Sequence, residues 1–485
     1  MNNHSTHCGR ITPVRSRRDF LETAAHGFGS LALMQLLAEP GQRSTYAAES
    51  SRDSNPLAAK PRHFPAKAKS VIFLFLTGGP SQVDTFDPKP VLQRLTGQPL
   101  PASFQSENLK LQFMKPSEGR LMGSPFEFKP HGESGLEISS IFPKLAERVD
   151  DLAIVRSCYH DSFIHGPAIN AMCTGSPLVG HPSAGAWVTY GLGCEADNLP
   201  AYIVMSDGIY RGGNGMYHSG YLPALYQGTV IRAEGSPIQN LALPKLIDSK
   251  QQRLLLDQIG LWNHRHADQR PEDSRLEARI ANCELAFRMQ SSAPELMEIS
   301  AETPATQEMY GVTGGPTARF GRMCLLARRM VERGVRFVTL ANNDWDGHGE
   351  CAQNHQNNAV GIDQPIAALI SDLKQRGLLE STLIVCCGEF GRTPVMQGAN
   401  GRDHSPYGFS VWLAGGGVRG GQVIGATDEL GFRAVEDKVH VHDLHATMLT
   451  LLGLDHKKLT YLFEGRNRRL TDIGGENEFS KRLIS

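Results

Sequence analysis

Lys69 to Leu76 reads KSVIFLFL, an almost unbroken apolar run halted by Thr77, Gly78, Gly79 and Pro80. A short run with no polar alternation predicts a strand buried on both faces and followed by a loop. Comparable runs recur at Asp151 to Val155, Ala201 to Met205, Val335 to Leu340, Thr382 to Cys387 and Phe409 to Ala414. Between them the period lengthens. From Ala318 to Arg333 apolar residues return at helical spacing, beginning with Phe320, Met323 and Cys324, and Gly334 stops the pattern. A second helix is predicted from Ile362 to Arg376, stopped by Gly377. Helices alternating with wholly apolar strands predict an α/β fold with a mostly parallel central sheet covered on both faces. Residues 245–289 break the alternation: they are charged, strand-free and helical in period, with Leu254, Leu255, Ile259 and Leu261 ahead of a break at Pro271. They are expected to form a helical insertion.

Composition adds little to this picture. With 485 residues, 40% apolar content and a formal charge of -1, the chain has neither the basic excess of a nucleic-acid binder nor an acidic tail. The N-terminus changes the picture more. Ser16, Arg17, Arg18, Asp19, Phe20 and Leu21 precede a weakly apolar stretch from Ala24 to Ala38, and small residues follow at Thr45, Ala47 and Ala48. This resembles a twin-arginine export signal, which implies passage through the twin-arginine translocase as a folded precursor and a periplasmic or extracellular destination. The expected organisation is a signal over residues 1–48, a linker over 49–66, the folded domain over 67–475 and a tail over 476–485. No other stretch has the roughly 18 apolar residues needed to span a bilayer. Eight of the nine cysteines lie beyond the signal, with no CxxC pair, and no disulfide framework is expected.

In parallel α/β sheets ligands gather beyond the carboxyl ends of the strands. Four such places carry possible metal ligands: Ser81, Asp84 and Asp87 after the first strand; Asp344, Asp346 and His348 after Val335 to Leu340; Glu389 and Arg392 after Thr382 to Cys387; and Asp403 and His404 before Phe409. A lone carboxylate or histidine in a loop is usually a cap or turn residue. Oxygen and imidazole groups converging from separate segments are what a divalent cation needs.

The segments KSVIFLFLTGGPSQVDTFDPKP, AIVRSCYHDSFIHGPAINAMCTG, HPSAGAWVTYGLG, LLARRMVERGVRFVTLANNDWDGHG, LIVCCGEFGRTP and VHDLHATMLTLLGLD, spread over residues 67 to 475, resemble the exported sulfatase-like family catalogued as domain of unknown function 1501. Its parent is the alkaline phosphatase and sulfatase superfamily. The resemblance implies an alkaline-phosphatase-like sheet, one or two divalent ions, zinc first with calcium or manganese as alternatives, and hydrolysis of phosphate or sulfate esters, carbohydrate-linked ones among them. It also implies metal ligation by Asp344 or Asp346 with His348, by Glu389, by His404 and by Asp84, with Arg392 gripping the anionic ester. Phe390 stands where the superfamily places a second ligand, and Gly78 and Gly79 stand where it places paired aspartates. Counted back from Thr174, the position of the sulfatase catalytic cysteine holds His165, and no cysteine here is followed by x-Pro-x-Arg. A formylglycine sulfatase is therefore not expected. Three mechanisms stay open: attack by a metal-activated water, His165 as nucleophile or metal ligand, and Ser81 or Ser162 as nucleophile. The first is preferred, with His165 at the start of a helix whose dipole keeps the ring neutral. The alternative of another class is a metal-stabilised binding or structural protein with no catalysis.

Overall fold

The computed structural model describes residues 57–105, 113, 115, 119–206, 213–233, 247–270, 274–476 and 479–484. The twin-arginine stretch and its cleavage site lie outside the described residues. The central sheet contains β1 (Ser70–Leu76), β2 (Leu152–Tyr159), β3 (Tyr202–Ser206), β4 (Thr229–Val230), β5 (Phe337–Asn342) and β6 (Thr382–Cys387). A separate antiparallel pair, β7 (Gly391–Gln397) and β8 (Gly401–Ser405), precedes β9 (Phe409–Ala414), and β10 (Gln422–Ile424) and β11 (Val439–His440) close the edge. The order is β10-β2-β9-β6-β1-β5-β3-β4, with β11 also paired to β2. The run from β6 to β4 is parallel, and β9 is antiparallel to both β6 and β2.

All seven residues of β1 are buried, the expected cost of lying in a sheet covered on both sides. Alternate side chains feed two cores. Ile72, Leu74 and Leu76 join one layer with Phe320 and Met323 of α5 and Ile362 and Leu369 of α6, whereas Val71, Phe73 and Phe75 join the other with Met172, Trp187 and Met448 from helices α1, α2 and α7. These helices are α1 (His165–Thr174), α2 (Ala184–Leu192), α3 (Ser249–Asp268), α4 (Ser274–Met297), α5 (Ala318–Glu332), α6 (Cys351–Gln375) and α7 (Val441–Leu451). Adjacent Cys386 and Cys387 fall in opposite cores, so the strand's own pleat holds them apart. The eight described cysteines are free. Residues expected to be a tail contain a short helix, Phe479–Ile484, whose Phe479 and Leu483 are buried in the second core. No helix among the described residues is long and apolar enough to cross a membrane.

Candidate metal site

Because β6, β1 and β5 are adjacent and parallel, the loops leaving their carboxyl ends meet. The loop after β5 carries Asp346 and His348, the loop after β6 carries Glu389, and the loop after β1 begins with Gly78. The antiparallel strand β9 starts at the same end of the sheet, which brings in His404 from the neighbouring β8. His165 arrives after β2 as the first residue of α1. The ligand atoms of His165, Asp346, His348 and His404 all lie within 4.8 Å of one another.

Three imidazoles face one carboxylate. His348 Nε2 is 3.1 Å and His404 Nε2 is 3.3 Å from Asp346 Oδ1, and His165 Nε2 is 3.3 Å from Oδ2. Ligands about 2.0–2.1 Å from a tetrahedral zinc lie about 3.3 Å apart, so these spacings are those of a coordination shell's edges. The far side of each ring is fixed. His165 Nδ1 donates to Glu389 Oε1 at 2.6 Å, His404 Nδ1 to the Phe163 carbonyl at 2.9 Å, and His348 Nδ1 to Gln397 Oε1 at 2.6 Å. Such outer partners hold metal-binding histidines with the Nε2 lone pair turned inward. Where a ring is neutral its lone pair then opposes an ionised carboxylate, acceptor against acceptor, an arrangement that a cation or a proton between them relieves. His165 Nε2 is buried there without a well-aligned hydrogen bond. Three imidazoles and one carboxylate form a donor set that fits zinc.

The electrostatics agree. Burial opposes the charge on Asp346, yet the imidazoles of His165, His348 and His404 beside it and the Arg392 guanidinium hold its pKa well below the usual carboxylate range. Burial pushes His404 down to about 4 against the pull of Asp346. Burial also acts to lower His165, but the carboxylates of Asp346 and Glu389 raise it to about 9. The neutral ring expected from the helix dipole is thus corrected for the metal-free protein: two carboxylates in contact outweigh a fractional charge. A proton on His165 partly serves where a cation would.

The remaining residues singled out in the sequence fall outside the cluster or beside it. Asp344 is exposed, in the left-handed region at φ 82°, and its carbonyl accepts from Asn354 and Asn358. Asp84, expected among the ligands, is buried with its two oxygens 2.7 and 3.0 Å from Arg402, which explains why it does not reach the site. Glu389 touches the cluster through His165 and accepts from Gly78 N at 2.9 Å, so it orients the ring. Arg392 is fully buried. Its nitrogens donate to the carbonyls of Gly78, Gly79, Arg402 and Trp345 and to Asp346 Oδ1, which commits the guanidinium and removes it as a grip for an ester. Ser81 N donates to His355 Nε2, deep in the fold. Phe390 packs beside the cluster, its ring centroid 4.3 Å from that of His404 and 5.0 Å from that of His165. Sequence reasoning missed Phe163, Gln397 and Arg402. The arginine left no signal, because the burial of Asp84 that requires a cation beside it is visible only in the fold.

A mostly parallel α/β sheet with three histidines and an aspartate gathered at its carboxyl edge defines a candidate metalloprotein. The chain belongs to the family described as "Protein of unknown function (DUF1501)", which it matches over residues 68–479. No curated protein matches it. Solved structures similar to it include the lipoteichoic acid synthase LtaP from Listeria monocytogenes (9% identity, 82% of this chain and 77% of that one, TM-score 0.34). Others are PsFucS1 sulfatase from Pseudoalteromonas sp. (12%, 86% and 72%, TM-score 0.34) and alkaline phosphatase from the Antarctic bacterium TAB5 (9%, 80% and 98%, TM-score 0.30). At that level of likeness no residue role is carried across.

Proposed function

We propose that the protein is an exported, metal-dependent hydrolase of phosphate or sulfate esters, with a single divalent ion, zinc first, held by His165, Asp346, His348 and His404. The observation that carries the reading is the convergence of three outward-anchored imidazoles on one ionised carboxylate. A bound ion supplies Lewis acidity and lowers the pKa of a water it holds. The chain's own part is to fix the rings from behind through Glu389, Gln397 and Phe163, and to release the His165 proton as the ion enters. Phe390 argues for one ion rather than two, since hydrocarbon occupies the adjoining space. With Arg392 committed, the anionic group would rest on the metal side of the site. The twin-arginine pattern supports export.

The test is metal analysis of protein purified without chelator, followed by turnover of aryl phosphate and aryl sulfate by the loaded protein and by Asp346→Asn. One equivalent of metal with ester hydrolysis lost in the variant is expected. A second reading, a metal-stabilised protein without catalysis, is favoured by one feature: four protein ligands close a tetrahedron, as in structural zinc sites. Stoichiometric metal with no turnover of any ester would establish it instead.

A further inference from the structure

Helix α3 contrasts with every core helix, because none of its twenty residues is buried. It packs on α4 through Arg253, whose guanidinium pairs with Glu284 at 2.7 and 2.8 Å and lies over the Phe287 ring. The opposite side of the helix is apolar. Leu254, Leu255, Ile259, Leu261 and Trp262 are between 42% and 58% exposed. At about 100° per residue they occupy one face of the helix around Gln258, turned away from Arg253.

The stripe is symmetric about that glutamine. Leu254 and Trp262 stand four residues before and after it, and Leu255 and Leu261 stand three before and after. Two copies of such a helix crossed antiparallel at Gln258 bring Leu254 toward Leu261 and Leu255 toward Trp262 of the second copy, on either side of a polar centre line of Gln251, Gln258 and Arg265 on which Gln258 meets its own copy, the self-complementarity that a two-fold interface demands. The rims match as well. The same operation sets Lys250 against Asp268 of the second copy along one rim and Asp248 against His266 along the other, and each pair occurs twice. Five large side chains, each about half exposed, make an apolar patch on the order of 400 Å², as large as the largest patch of a typical monomer, which is often functional. With the usual polar rim, a pair of such faces buries roughly 1,300 Å² in total, within the range of specific interfaces.

We propose that the outer face of α3 is a homodimer interface, in which two copies of this chain pair their α3 helices antiparallel about Gln258. The test is the mass of the purified full-length protein by sedimentation equilibrium at micromolar concentration. A dimer is expected, with Leu255→Glu combined with Leu261→Glu raising the dimer Kd at least 100-fold while far-UV circular dichroism and Tm stay unchanged. Lys250→Glu alone should weaken the dimer several-fold, and adding Asp268→Lys should restore it. Gln258→Cys, placed at the two-fold axis, should give a covalent dimer on mild oxidation. A monomer at these concentrations, a dimer indifferent to the double glutamate variant, or flotation of the wild-type protein with anionic lipid vesicles that the double variant abolishes would each overturn the proposal.

Discussion

Glu389 shows how much of the proposed metal site lies behind the residues that would bind the ion. Its side chain is fully buried, it accepts from Gly78 N through both oxygens, and it holds His165 Nδ1. Glu389→Gln keeps the shape but loses the charge that orients and enriches the imidazole. Metal affinity is expected to fall about 10–100-fold, the usual effect of losing such a partner, with folding retained. A competition titration against a chromophoric chelator measures it, and an unchanged affinity would remove Glu389 from the site. His348→Ala goes further, deleting a ligand. Bound metal should disappear, and the rise in Tm on adding zinc to the wild type should vanish with it, since metal bound only by the folded state stabilises that state. A variant that still gains Tm with zinc would place the ion elsewhere. That these two residues gather with His165, Asp346 and His404 was legible because each lies next to a strong strand pattern, after it or, for His404, before it. Asp84 was misleading for a physical reason: a strand-end carboxylate looks alike from the sequence whether it faces a metal or a distant arginine such as Arg402.

At the scale of elements, every apolar run became a strand, Thr382–Cys387 and Phe409–Ala414 to the residue, while Phe337–Asn342 starts two residues late and Leu152–Tyr159 continues four residues past its run. The β7–β8 hairpin was not. Its buried face is made of Arg392, Thr393, Arg402, Asp403 and His404, and a strand buried through polar groups gives neither an apolar run nor an alternation. Helix α6 begins at Cys351, eleven residues before the first residue predicted, because its early turns (NHQNNAVG) are polar and carry the asparagines that bind the Asp344 carbonyl. The glycines after β1 look from the sequence like lost aspartates, and packing gives them a role of their own. A Cβ on Gly78, at φ 113°, would lie 2.5 Å from Asp346 N and 2.6 Å from Trp345 N. The loop that carries Asp346 and His348 can approach β1 only over a bare backbone. Gly78→Ala should therefore cost at least the roughly 1–3 kcal/mol of a strained backbone, and it should weaken metal binding although it removes no ligand. Urea unfolding and metal content of the same preparation check this, and a loss of stability with full metal retention would separate the loop's packing from the site.

For the whole molecule, export and acid stability follow from different ends of the chain. Replacing Arg17 and Arg18 together by lysine is expected to leave the precursor in the cytoplasm, and normal export of that variant, followed by fractionation, would contradict the twin-arginine reading. Acid stability depends on histidines far from the surface. Burial lowers His160 and His355 to about 4 and His445 to about 3, and each is at most 2% exposed. An unfolded histidine titrates near 6.5, so below that pH the unfolded chain binds protons that the folded chain refuses. Their contribution to stability is complete above about 6.5 and is lost as pH falls toward their folded values. Near pH 5 three such groups steepen the loss by up to about 4 kcal/mol per pH unit, and His404, pushed to about 4, adds to it. His165 has the opposite sign: raised to about 9, it stabilises the metal-free protein below about 6.5 and gives that up as pH rises through 9. Metal replaces that proton. Urea midpoints measured from pH 5 to 9 should then fall steeply on the acid side for both forms, while a decline between pH 7 and 9 should appear without metal and disappear with it. An alkaline decline of equal size in both forms would show that His165 keeps its proton when metal binds, and would take it out of the coordination shell.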